Sequence, residues 1–156
     1  MEATGKGETE SVAASTTRGF RIILVVLLIL LTVQGWTGDT VNIFFAPPSG
    51  VTPPPAGLGG FSAAVQSLGS ILVWHAVQGL LLLALAIAIA FLSFRWSKTR
   101  SVRLCAILGL FFVLSAGIGG YLFVTSGFLA GGSSAQMGGS YIGSYAFYFM
   151  TLYYAK

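Results

Sequence analysis

Charge is what this sequence has least of: of 156 residues, eight are Lys or Arg and four are Asp or Glu, 8% in all. A domain that faces water on all sides carries about 25%, so too few charged groups are present to solvate a globular surface. A single cysteine, Cys105, excludes an intramolecular disulfide framework and any multi-cysteine zinc or iron–sulfur site built by one copy. A single histidine, His75, likewise excludes a bis-histidine site within one chain. The sequence also lacks a Gly-x-x-x-x-Gly-Lys-Ser/Thr loop, a His-Glu-x-x-His pair, a Gly-x-Ser-x-Gly elbow and any pair of carboxylates inside an apolar run. Nucleotide and hydrolase chemistry have no residues to carry them. What is abundant is apolar: 55% of residues are hydrophobic and the mean hydropathy is +0.86. The solvent of this chain is lipid.

A bilayer core is about 30 Å thick and takes about 20 mostly apolar residues to cross. Four such stretches are expected as helices: 20–36, with an Ile/Leu/Val centre at 22–33; 71–94, the strongest; 104–125; and 140–155. The basic residues Lys6, Arg18, Arg21, Arg95, Lys98, Arg100, Arg103 and Lys156 fall before the apolar centre of the first stretch, between the second and third, and after the fourth. With no Lys or Arg in 37–70 or 126–139, the positive-inside rule places both chain ends in the cytoplasm. The net charge of +4 therefore reads as orientation, not nucleic-acid binding. Trp36 and Trp74 then mark the outer interface, and Trp96, Tyr153 and Tyr154 the inner one. A secretory signal is disfavoured, because Val33-Gln34-Gly35-Trp36 is a poor small-x-small cleavage site. The alternation Ala84–Ala90 has the period of a strand, but a lone strand in lipid leaves its backbone unsatisfied, so a helix is expected there.

The expected architecture is all-α: an integral four-helix bundle of the plasma membrane over 20–156, preceded by a polar, disordered cytoplasmic tail over 1–19. The outer connection 37–70 contains all five prolines and is expected to be extended, with Phe44 and Phe45 dipping into the interface and a short helical piece within 61–69. The second outer loop, 127–139, is Gly/Ser-rich. Small residues four apart let helix backbones approach in lipid; Ser115/Gly119 and Ala116/Gly120 mark one packing face, Gly139/Gly143 and Ser140/Ser144 another. Ala84/Ala88 and Ala86/Ala90 give the second helix two small-residue faces.

Polar residues concentrate at the outer ends of the helices: Gln34, Asp39, His75, Gln78, Tyr121, Tyr141 and Tyr145. An ionisable group within a membrane requires a partner, which makes His75 the leading candidate. Three readings compete. As a ligand of a b-type haem it would project between helices, with Gly117, Gly119 and Gly120 admitting the flat macrocycle and Met137, or His75 of another copy, as second axial ligand. As a quinone or proton site it would pair with Asp39, Gln78 or a tyrosine. As a structural residue it hydrogen-bonds across the bundle. Cys105 reads as a small buried apolar residue.

From Trp74-His75-Ala-Val-Gln-Gly79 through Ala116-Gly-Ile-Gly-Gly-Tyr-Leu-Phe123, the chain resembles small four-helix membrane proteins of archaea and actinobacteria. Its His-x-x-x-Gly helix start also resembles half of a haem A synthase or b-type cytochrome bundle. That resemblance implies a prokaryotic membrane bundle and a haem b on His75. It departs from the pattern in the fourth helix, where such halves carry a second histidine and this chain offers Tyr, Phe and Met150. The leading functional expectation is a non-catalytic accessory subunit of a larger membrane complex, respiratory or oxidase in kind, in contact with lipid and with other subunits or copies of itself. A haem- or quinone-binding electron carrier and a transport or pore-forming oligomer are the alternatives.

Overall fold

The structure is a computed structural model that describes residues 4–44, 57–67, 69–128 and 131–155. The prolines and Phe45 lie outside the described residues. Among those described there is no strand. Five helices follow one another: α1 (Thr4–Phe44), α2 (Leu58–Ser67), α3 (Ser70–Trp96), α4 (Arg100–Thr125) and α5 (Gly131–Tyr154).

Three spans are long and apolar enough to cross a bilayer: Thr17–Thr40, Ser70–Trp96 and Arg100–Thr125, with mean hydropathies of 2.1, 2.5 and 2.2. Their outward faces are as apolar as their inward ones. Leu24, Leu27, Ile89, Val102 and Tyr148 are fully enclosed, while Ile29, Leu80, Phe91, Phe111 and Ile118 stand more than half exposed. A chain that is apolar both inside and outside is a membrane helical assembly, since water would not tolerate the outer face. α5 matches the three in length, at 24 residues, but its glycines, serines and tyrosines make it less apolar.

The four long helices form a ring in which α1 neighbours α3 and α5, and α4 neighbours α3 and α5. Paired contacts fix the directions. Phe20 near the start of α1 meets Trp96 at the end of α3, ring centroids 6.2 Å apart, while Thr37 far along α1 meets His75 near the start of α3. Gly109 faces Tyr148, Gly119 faces Met137 and Gly35 faces Tyr141, so every neighbour in the ring runs antiparallel. This brings Arg18, Arg21, Arg95, Lys98, Arg100 and Arg103 to one end.

Between α3 and α4 the link is only Ser97–Thr99. Arg103 closes it by donating from Nε and Nη2 to the Ser97 carbonyl, at 2.9 and 2.6 Å, with its guanidinium 5.7 Å from the Phe94 ring. α4 stops in a Schellman turn: Phe128 N–H donates to Phe123 O and Gly127 N–H to Val124 O, with Gly127 at φ 70. The rings of Phe123 and Phe128 pack edge to face across the turn. α2 lies over the adjoining ends of α3 and α4, where Val65, Leu72 and Val124 form a small apolar cluster.

Helix boundaries exceed the sequence expectation at three places. α1 is continuous from Thr4, where a disordered tail over 1–19 was expected, because a formed membrane helix propagates into flanking residues at low cost. At its other end α1 runs past Trp36 to Phe44, since Thr37 and Gly38 pack on α3. α5 starts at Gly131 instead of 140: Met137 and Gln136 seat on α4, and that contact outweighs the weak helix propensity of glycine.

The tightest seam is α4 against α5. A Cβ on Gly109 would stand 2.7 Å from the Tyr148 ring, and one on Gly143 2.7 Å from Phe112, whereas Gly117 faces open space. Gly109→Ala is therefore expected to destabilise the protein by about 1–3 kcal/mol, the usual range for overpacking. Gly117→Ala should be neutral or stabilise by up to about 1 kcal/mol through helix propensity. Thermal unfolding of both variants in the same detergent measures the contrast.

Candidate functional site

The polar groups of α1 and α3 meet at one place. Gln34 and Gly38 are four residues apart on α1 with Thr37 between them, so the three share a helix face, and His75 lies opposite on α3. Gln34 Nε2 is 3.1 Å from both His75 Nε2 and the His75 carbonyl oxygen. A carbonyl only accepts, so the amide nitrogen must be the atom that faces it. Its second hydrogen then points to Nε2, which must hold a lone pair. The proton of the neutral imidazole accordingly sits on Nδ1, which donates to Thr37 Oγ1 at 2.9 Å. The Thr37 hydroxyl passes its own hydrogen to the Gln34 carbonyl at 3.1 Å. Each bond dictates the next, and both ring nitrogens are engaged with α1.

Two glycines make this arrangement fit. A Cβ on Gly38 would stand 3.0 Å from His75 Cε1, and one on Gly79 would stand 3.4 Å from Gln34 Nε2. Gly79 thus gives Gln34 access to the carbonyl one turn before it, which accounts for the His-x-x-x-Gly spacing without any cofactor. One turn deeper, buried Gln78 donates to the Leu30 carbonyl at 3.0 Å, again from α3 to α1. Gln34 Oε1 and Gln78 Oε1 are buried without a hydrogen-bond partner in the structure.

The other singled-out residues divide among separate contacts. Tyr141 lies on Gly35 of α1 and 6.3 Å from the Tyr145 ring. Tyr121 packs instead on Phe61 of α2, at 5.6 Å, and Asp39 is exposed. Ser115 is a hub of the α4–α5 seam: Ser140 Oγ donates to its hydroxyl at 2.9 Å, and Gln136 Nε2 approaches its carbonyl and hydroxyl at 3.2 Å. Gly119, Gly120 and Gly143 lie in this seam, Ala116 is half-buried beside it, and Gly139 is exposed with nothing near it. Cys105 is buried.

The residues that would hold a haem do not form one site. His75 faces α1, whereas Gly119 and Gly120 are covered by the Met137 side chain in the α4–α5 seam. Gly117 is exposed, away from both. His75 could bind iron only by giving up Gln34 or Thr37. Among the described residues no group of three His, Cys, Asp or Glu could hold a metal ion.

Thr37 and Gly38 are the members of the cluster that the sequence reading missed, whereas Gly79 entered it as the glycine of the His-x-x-x-Gly helix start. Their signal is present, because Gln34, Thr37 and Gly38 fall on one helical face once α1 is continued beyond Trp36. No family model, curated protein or solved structure matches the chain. The likeness to haem A synthase halves stands on the residues quoted for it alone.

Thr37→Val keeps the volume but removes the acceptor of His75 Nδ1–H, and is expected to destabilise the protein by about 1–3 kcal/mol. Nitrogen-15 spectra of the imidazole in the unmodified protein should show Nδ1 protonated and Nε2 bare. The opposite tautomer would reverse the bonding scheme.

Proposed function

We propose that this chain is a four-pass protein of the plasma membrane with both ends in the cytoplasm, and that it serves as a non-catalytic accessory subunit of a larger membrane assembly. One observation carries the non-catalytic part: His75, the one histidine of the sequence, has both ring nitrogens engaged in joining α1 to α3. Gln34, Thr37 and Gln78 are likewise occupied in holding α1 to α3. The fourth crossing is supported by α5, which matches its neighbours in length and runs antiparallel to α1 and α4 in their ring. The orientation is supported by the collection of basic residues at one end of the ring. An accessory role draws support from α3, where Ala84 and Ala88 are exposed on the outward face while Ala86 and Ala90 are buried. Small outward residues allow the backbone of a partner helix to approach closely.

Two experiments test this. Gentle extraction from the native membrane, with a gel and with oxidised and dithionite-reduced absorption spectra, is expected to give a colourless protein with stoichiometric companion bands. A Soret band that disappears in His75→Ala would replace the subunit reading with an electron carrier, and a lone colourless monomer would remove it. In a Cys105→Ala background, an impermeant thiol reagent applied to intact cells should label Gly132→Cys, and should reach Lys98→Cys only after permeabilisation. The reverse pattern would invert the topology.

A further inference from the structure

At the basic end of the ring, α1 and α5 leave an open groove of about 350 Å³ lined by Arg21, Phe149, Leu152 and Tyr153. A water molecule in the liquid occupies about 30 Å³, so the groove has room for a phosphate group and part of an alkyl chain. Its walls are mostly apolar, and the guanidinium is the charged group among the lining residues. Arg21 lies four residues into the apolar span that begins at Thr17, about 6 Å along the axis, at the membrane boundary where an exposed guanidinium reaches the level of the lipid headgroups.

Among the described residues no Asp or Glu side chain lies beside it. α5 contains no Asp or Glu. Asp39 lies at the opposite end of α1, and Glu2, Glu8 and Glu10 all precede the span; Glu10 is about 16 Å from Arg21 along the helix. Arg103, by contrast, is engaged by Ser97 and Phe94, and Arg95, Lys98 and Arg100 stand exposed around the α3–α4 link. Arg21 is the cation that lines the groove.

We propose that this groove binds an anionic phospholipid, with its phosphate on Arg21 and one acyl chain along Phe149 and Leu152. The inference rests on the membrane reading of the chain. The bound lipid places a negative charge beside Arg21 and ties α1 to α5 at the end opposite the His75 cluster.

The test is native mass spectrometry of the full-length protein in a mild non-ionic detergent, titrated with phosphatidylglycerol or phosphatidylcholine. Phosphatidylglycerol adducts are expected to predominate, and to fall about fivefold in Arg21→Gln, the equivalent of the ~1 kcal/mol that one basic residue gains toward an anionic lipid. Arg21→Lys should retain most of them, Arg100→Gln should leave them unchanged, and circular dichroism should show all variants helical. Equal binding of the two lipids, or an equal loss in Arg21→Gln and Arg100→Gln, would overturn the proposal. Full displacement of the adduct by glycerol phosphate would overturn it too, since it would leave the chain without a role. Alkaline carbonate extraction of native membranes reads the underlying assumption separately: protein released to the supernatant would refute the membrane reading, whatever the lipid titration gave.

Discussion

In hydrocarbon, a polar group that enters a helix must find its partner within the protein, because no water is there to replace one. The clasp of His75 with Gln34 and Thr37 meets that constraint for both imidazole nitrogens, and the placement of α1 depends on it. The remaining inward face of α1 is Phe20, Leu24, Leu27, Leu28 and Leu31, a nearly uniform aliphatic strip. Such a strip slides or rotates against α3 with little change in packing. Hydrogen bonds of fixed direction do not, so the clasp and the deeper bond from Gln78 to Leu30 set both the height and the rotation of α1, a role for buried polar groups known from helix registers.

Packing elsewhere follows a repeated device. Tyr141 lies on Gly35, Tyr148 on Gly109, Phe112 on Gly143 and the imidazole of His75 on Gly38. In each case a flat ring takes the place that a side chain would fill, and two backbones draw together around it. Lipid tails are as apolar as leucine, so association between these helices gains little from hydrophobicity and depends on close contact instead. Rings seated on glycine supply that contact at the α1–α3, α1–α5 and α4–α5 seams.

Composition and charge made the membrane class and the apolar spans legible, because a run such as Ile22–Val33 or Leu80–Ile89 has no other stable environment. The gathering of polar residues at one end of the helices was legible in the same way. Less so were the pairings. Tyr121 and Tyr141 share a depth in the sequence reading, yet one meets α2 and the other α1, since depth says nothing of direction around a helix. The start of α5 and the end of α1 escaped for a related reason: Gln136 and Met137 of α5 and Thr37 and Gly38 of α1 make contacts with neighbouring helices that propensity alone does not reveal. Met137, read as a potential iron ligand, instead fills the hollow above Gly119 and Gly120.

The two joints of the molecule differ in kind. α3 and α4 are bound by a link of three residues that Arg103 holds shut, so their encounter is local and loses little chain entropy. α1 reaches α3 across the 25 residues between Phe44 and Ser70, a closure that costs about 2 kcal/mol more chain entropy than the three-residue link. The hydrogen bonds of the clasp therefore sit at the seam with the larger entropic cost to offset.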